Sequence, residues 1–287
     1  MPRFGSAGNP KDFYDNGYKH SVEMPAYLAS MGLDAYEYQC GRGVAIGHDT
    51  AVVLGERARA SGVALSLHAP YYINLASSDP EKLENTYRYI LESLQATLWM
   101  GGTRVIVHPG SANAPGGRAG ALALASAALL RVLSMAKEQQ LTDTVAICPE
   151  LMGKINQLGD LDEVITLCRL DDSLIPTIDF GHYNARTHGG LKVYDDFLRI
   201  CTCIGNGLGM ERLRNMHIHF SRIEFTAGGE KMHHTFADTA YGPDFDPLAQ
   251  VLYDLDMQPI IICESKDTQS IDAATMKRIY LSGGTGK

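Results

Sequence analysis

Residues 64–111 read ALSLHAPYYINLASSDPEKLENTYRYILESLQATLWMGGTRVIVHPGS, and two periodicities alternate along them. Ala64 to Ala69 and Arg104 to His108 are short apolar runs of the kind that form strands buried on both faces. Between them Leu83, Tyr87, Ile90, Leu91, Leu94 and Leu98 recur three or four residues apart, the spacing of an amphipathic helix. Ser78, Asp79 and Pro80 supply a cap and a first-turn proline, while Gly101 and Gly102 mark the helix end. Strand, helix and strand in that order make one unit of a parallel sheet, because the helix returns the chain to the edge where the first strand began.

The same alternation runs outward in both directions. Apolar or β-branched runs at Pro2 to Ser6, Ala35 to Cys40, Thr144 to Glu150, Ile175 to Phe180, Asn215 to Phe220 and Pro259 to Glu264 bring the strands to eight. Gly120 to Gln140, Tyr194 to Ile204, Pro247 to Leu255 and Ala273 to Leu281 read as helices. Eight such cycles imply an α/β fold, a (β/α)8 TIM barrel, and a length of 287 residues suits one barrel domain over residues 1–287. No linker or low-complexity tract divides the chain. Ser221 to Pro247 is the one long irregular stretch, expected to lie over the catalytic face because it follows the seventh strand.

Composition narrows the function. With 45% hydrophobic and 20% charged residues the chain can bury a large core. A net charge of -8 argues against a broad basic surface, so a phosphate-bearing partner needs metal charge or a local basic patch. The six cysteines show no CxxC pair and are expected to be reduced thiols in or near the core. There is no signal-peptide pattern and no uncharged apolar run of about twenty residues, so a cytoplasmic protein with no membrane partner, and a monomer, is expected.

In a barrel of this kind the carboxyl ends of the strands converge on one face. Here they end in SLHAP (His68), VIVHPGS (His108), AICPE (Glu150), PTIDFGH (Asp179 and His182), MHIHF (His217) and IIICES (Glu264). Six successive strands ending in His, Asp or Glu are costly to desolvate without a compensating charge, and a divalent cation supplies one. Imidazole and carboxylate ligands without thiolates suit zinc, and also manganese or iron. Two ions sharing a carboxylate provide a nucleophile near neutral pH and stabilise charge on attacking and leaving oxygens, which fits phosphodiester hydrolysis.

With HAPYYINL at 68–75, HPGS at 108–111, IDFGH at 178–182, MHIHFS at 216–221, HH at 233–234 and CES at 263–265, the chain resembles the endonuclease IV family over nearly its whole length. Those are zinc-dependent DNA-repair enzymes that cut beside abasic sites on a (β/α)8 barrel. The resemblance implies damaged double-stranded DNA as partner and two or three Zn2+ ions, with Mn2+ or Fe2+ as alternatives. By it, His68, His108 and Glu150 hold one ion; Glu150, Asp179, His217 and Glu264 hold a second; His182 and His233 belong to a third. Glu150 bridges, and Glu150 and Glu264 carry the catalytic roles.

The family's remaining third-site ligand is an Asp two residues before the matching His, a place taken here by Lys231. That leaves the third ion absent, weaker, or held with help from Glu230, and an Asp restored at 231 is expected to add one ion; alternatively, Lys231 itself meets a phosphate. Tyr71 and Tyr72 sit where the family wedges side chains into DNA, or else pack over the barrel mouth; Arg222 and Arg186 either meet phosphates or are solvated surface arginines. His219 and His234 either orient ligands or face the helix layer or solvent. YEYQCGRGVAIG after the second strand lacks the family's polar and basic loop, and HIHFSR replaces the usual HxND.

Two other functions fit parts of the pattern. A sugar isomerase or epimerase of the xylose isomerase-like barrels uses a Glu, Asp, His, Glu set around one divalent metal, here Glu150, Asp179, His217 and Glu264 with Glu37 as an added acid. His68, His108, His182 and His233 discriminate against it, since a one-metal isomerase has less use for four further imidazoles. A decayed, binding-only endonuclease rests on Lys231 and the altered loops.

Overall fold

Each of the eight apolar runs forms a strand in the computed structural model, which describes residues 1–283. Residues 284–287, which the single-domain reading also takes in, lie outside the described residues. The strands are β1 (Arg3–Ala7), β2 (Ala35–Gln39), β3 (Ala64–His68), β4 (Arg104–Val107), β5 (Ala146–Pro149), β6 (Thr177–Asp179), β7 (His217–Phe220), the separate hairpin β8 (Arg222–Thr226) and β9 (Gly229–His234), and β10 (Ile260–Cys263). The parallel sheet runs β5-β4-β3-β2-β1-β10-β7-β6. A single parallel bridge from Glu150 to Thr177 joins its two ends, so the sheet is a barrel.

The helices follow their chemical marks. Pro80–Trp99 begins where the Asp79 carboxylate accepts the N–H groups of Glu81 and Lys82. Gly117–Glu138, Tyr194–Leu208, Asp246–Asp254 and Gln269–Leu281 occupy the other expected segments, with His48–Ser61 and Leu161–Cys168 completing crossovers. Gly117–Glu138 is long and apolar enough by composition to cross a membrane. Its Ala121, Ala125, Leu129, Val132 and Ala136 are buried, packed in the main core cluster with other barrel residues.

Alternation along the strands sorts side chains into two layers. Tyr36, Leu67, Val105, Ile147, Ile178, Ile218 and Ile261 face the helices in the main core. Ala7, Ala35, Ile260 and Ile262 form a small apolar plug inside the barrel. Between plug and mouth the interior is polar: Glu37, Ser66, Arg104, Thr177, His217 and His219 are all buried. Five cysteines are buried as expected, whereas Cys203 is exposed on its helix.

The stretch 221–247 departs from expectation. It holds the β8/β9 hairpin, whose tip is pinned to the segment after β5 by Ile155 N–H to Gly228 O at 3.1 Å and Glu230 N–H to Gly153 O at 3.2 Å. Gly229 has φ +90°, and a Cβ there would lie 2.2 Å from the Gly153 carbonyl oxygen. A Cβ on Gly153 would lie 2.7 Å from Glu230 Cβ and 3.0 Å from His182 Cδ2. Two bare backbones thus let the hairpin close onto the barrel mouth.

Candidate metal centre

Glu150, at the end of β5, is fully buried, and its two oxygens face different imidazoles. Oε2 lies 3.1 Å from His68 Nε2 and 3.1 Å from His108 Nε2, while Oε1 lies 3.0 Å from His219 Nδ1. His68 Nδ1 donates to the Ala69 carbonyl at 2.9 Å, so a neutral His68 presents its Nε2 lone pair to the carboxylate. A lone pair facing an anion is repulsive unless a proton or a cation lies between them.

The second group contains Glu150, Asp179, His219 and Glu264, each with one ligand atom within 4.8 Å of the others. His217, expected there, is not in it. Both histidines face inward on β7, but pairing sets Asp179 level with His219 and Thr177 level with His217. His219 therefore reaches the carboxylates, and His217 sits one layer deeper with its Nε2 2.9 Å from Glu37 Oε2. Asp179 Oδ1 accepts the His182 N–H at 2.7 Å, whereas its buried Oδ2 makes no hydrogen bond, although His182 Nδ1 lies 3.2 Å away. A buried carboxylate oxygen without a hydrogen bond among these ligand atoms fits a cation site.

The third group is His182, Glu230 and His233. His182 Nδ1 faces the Leu151 carbonyl at 3.0 Å, which turns Nε2 toward Glu230 Oε2 at 3.5 Å. His233 Nδ1 pairs with Ser221 Oγ at 2.7 Å, leaving Nε2 3.9 Å from Glu230 Oε1. Lys231 takes no part. On the hairpin Glu224 pairs with Met232 and Phe225 with Glu230, so Lys231 is the extra residue of a β-bulge. The bulge shifts the alternation by one, giving Glu230 the face shared with His233, and Lys231 pairs outward with Glu224.

Arg222, Arg186 and His234 turn away from the cavity as Lys231 does, whereas Tyr71 and Tyr72 stay at its mouth. Arg222 pairs with Asp244 and the Asp238 carbonyl, and Arg186 donates to the Met152, Lys154 and Gln157 carbonyls, so both brace loops rather than face the cavity. His234 pairs with Glu224 at 3.2 Å on the hairpin's outer side. Tyr71 and Tyr72 are half exposed at the mouth, with rings 4.3 Å apart and hydroxyls hydrogen-bonded at 3.0 Å.

The groups surround a cavity of 410 Å³ lined by His68, His108, Glu150, His182, Glu230, His233 and Glu264, with Gln39, Tyr71, Met152 and Lys154 nearer the rim. Lys154 carries no signal in the sequence, and Glu230 only that of a neighbour to Lys231, because the hairpin's docking is what brings both to the cavity. Burial draws His68 and His182 toward neutrality, but Glu150 beside the first and Asp179, Glu230 and Glu150 beside the second outweigh it and hold each up to about 9. At His217 burial, with His219 and Arg104 nearby, outweighs Glu37, and the imidazole is pushed down to about 4. Burial also raises Glu264 above the usual carboxylate range.

These shifts fix a sign. In ion-free protein His68 and His182 titrate near 9 when folded and near 6.5 when unfolded, so their contribution is complete below pH 6.5 and lost as pH rises through 9. The urea midpoint of chelated protein is expected to fall across that window, and zinc-loaded protein is expected to show a smaller fall. A flat profile for the chelated form contradicts the assignment.

A family model described as a xylose isomerase-like TIM barrel matches residues 25–279. The chain belongs to the xylose isomerase-like TIM barrel family. Within this family it is 32% identical over 282 residues, 96% of each chain, to an uncharacterized protein of Methanocaldococcus jannaschii. It is 32% identical over 163 residues to a probable endonuclease 4 of Mycoplasma genitalium, a match spanning 55% of this chain and 52% of that one. Among solved structures of the family fold, endonuclease IV from Thermus thermophilus superposes with TM-score 0.69 at 20% identity over 98% of both chains. A D-tagatose 3-epimerase-like protein superposes with TM-score 0.70 at 17% identity over 98% of this chain and 97% of that one. The resemblance to endonuclease IV read from the motifs is thus borne out, and the fold is shared equally with epimerases.

Proposed function

We propose that this family member hydrolyses phosphodiesters in DNA at abasic sites, using two or three divalent ions, zinc foremost. The observation that carries the reading is that one carboxylate, Glu150, serves two donor groups while a third opens onto the same cavity. Ions held there would stabilise charge on the attacking and leaving oxygens of an in-line displacement. The protein's part is placement. His68 and His108 flank one oxygen of Glu150, and His219, Asp179 and Glu264 flank the other. His182, Glu230 and His233 sit beside them, where a third ion would be held. Tyr71 and Tyr72 present an aromatic pair at the rim, suited to stack against an unpaired or displaced base.

On the epimerase reading Glu150 and Glu264, both on the cavity, would be the acids that move protons, and Glu37 adds none. Its carboxylate is fully buried below the cavity, accepting from Ser66 Oγ at 2.9 Å and Gln39 Nε2 at 3.1 Å. Incubating zinc-loaded protein with an end-labelled abasic duplex, an intact duplex and a ketohexose separates the readings. Incision of the abasic strand alone is expected; a protein that epimerises the ketohexose and leaves DNA whole overturns it.

Lys154 lines the cavity and enters no ion pair among the described residues, while Lys231, Arg222 and Arg186 are committed elsewhere. On this reading it is the cation that would meet DNA phosphate. Lys154→Ala is expected to weaken duplex binding uniformly across sequences and to reduce the slope of log K against log salt by about 1. An unchanged slope contradicts this role.

A further inference from the structure

We infer that Arg104, His217 and Glu37 form a buried positioning chain that decides which nitrogen of His219 carries the proton, leaving a lone pair toward the Glu150, Asp179 and Glu264 carboxylates. The inference rests on the metal-site reading above and deepens it, because none of the three residues touches the cavity.

The chain reads from one end. Arg104 Nη1 donates to the Met216 carbonyl at 3.1 Å and lies 3.4 Å from His217 Nδ1; Nη2 donates to Asn215 O at 2.6 Å. A guanidinium has donors and no acceptor, so His217 Nδ1 must offer its lone pair and its proton sits on Nε2. That N–H points at Glu37 Oε2, 2.9 Å away, an oxygen that also accepts from Ser66.

Glu37 Oε1 takes the Gln39 amide at 3.1 Å and stands 3.1 Å from His219 Nε2. The ring nitrogen is within reach of Oε1 but not aligned for a full hydrogen bond, and no other partner engages it among the described residues. Four donors around one carboxylate match its acceptor capacity. Glu37 therefore acts as acceptor on both sides, which assigns the His219 proton to Nε2. The lone pair is left on Nδ1, 3.0 Å from Glu150 Oε1 and 3.5 Å from Glu264 Oε1, where only a cation or a proton relieves the repulsion. Such a carboxylate behind a ligating imidazole fixes its tautomer and orientation.

Glu37→Gln tests this, because an amide offers an acceptor on one side only. Arg104 keeps His217 a donor at Nε2, so the amide oxygen turns to His217 and the NH2 to His219. His219 must then accept at Nε2 and carry its proton on Nδ1, blocking the ion. Zn2+ and Mn2+ affinities of folded wild type, Glu37→Gln and Glu37→Asp, from competition with a chromophoric chelator, are expected to show a fall of about 10- to 100-fold for the amide and partial recovery for the acid.

Long-range proton–nitrogen spectra of 15N-histidine protein report the tautomer directly. Zinc-loaded wild type is expected to show His219 protonated on Nε2, and Glu37→Gln on Nδ1. Wild-type His219 bound through Nε2 overturns the inference even if the variant fails to fold. So does a folded Glu37→Gln with wild-type affinity and an unchanged His219 tautomer. A wild type that takes up neither ion overturns the metal-site reading itself.

Discussion

Glu150→Gln is expected to lower abasic-site incision by roughly 10⁴-fold or more, in the range seen when one member of a catalytic unit is removed. The expectation follows from how the residue divides its oxygens. Oε2 is shared by His68 and His108, and Oε1 faces His219. An amide keeps one acceptor and turns two donors toward the other imidazole, so at most one group survives. Removing a buried negative charge would also remove compensation for the two dications proposed there. Elemental analysis is expected to find at least one ion fewer per chain with near-ultraviolet dichroism unchanged. Retained turnover at full ion content excludes Glu150 from the bridging position.

Glu230→Gln is expected to remove one further ion and cost about 10²- to 10³-fold in turnover, the usual effect of losing one preorganised stabilising group. Lys231→Asp is expected to leave the ion count unchanged. Spacing counted back from His233 pointed to residue 231, but Lys231 is the bulged residue and its ammonium pairs with Glu224. The two variants therefore discriminate between spacing and geometry. An added ion in Lys231→Asp, or a full complement in Glu230→Gln, returns the third site to residue 231.

The fold was legible because each short buried strand keeps apolar residues on the side facing the helices and the crossover helices carry chemical stops, as at Asp79, Pro80, Gly101 and Gly102. His68, His108, Glu150, Asp179 and Glu264 were legible for the same reason: a residue at a strand's carboxyl end reaches the barrel mouth whatever the register. His217 and His219 could not be ranked so. They share one face of β7, and only the pairing of Asp179 with His219 says which stands level with the carboxylates. Glu230 depended on a bulge, an irregularity that leaves no periodic trace in sequence. Lys154 reached the cavity through a hairpin that docks from far along the chain, a long-range pairing with Gly229 that no local pattern encodes.

One join in the barrel differs from the rest. Every other neighbouring pair of strands shares a ladder of three or more register positions, whereas β5 and β6 share one bridge, Glu150 with Thr177, flanked by hydrogen bonds from Leu151 N–H to Thr177 O at 3.0 Å and Ile175 N–H to Ile147 O at 3.3 Å. Glu150 thus sits on the least regular seam of a cylinder already closed by backbone hydrogen bonds. Ions held between β3, β4, β6, β7 and β10 would add a clasp across it, so loading the centre would also stiffen the wall.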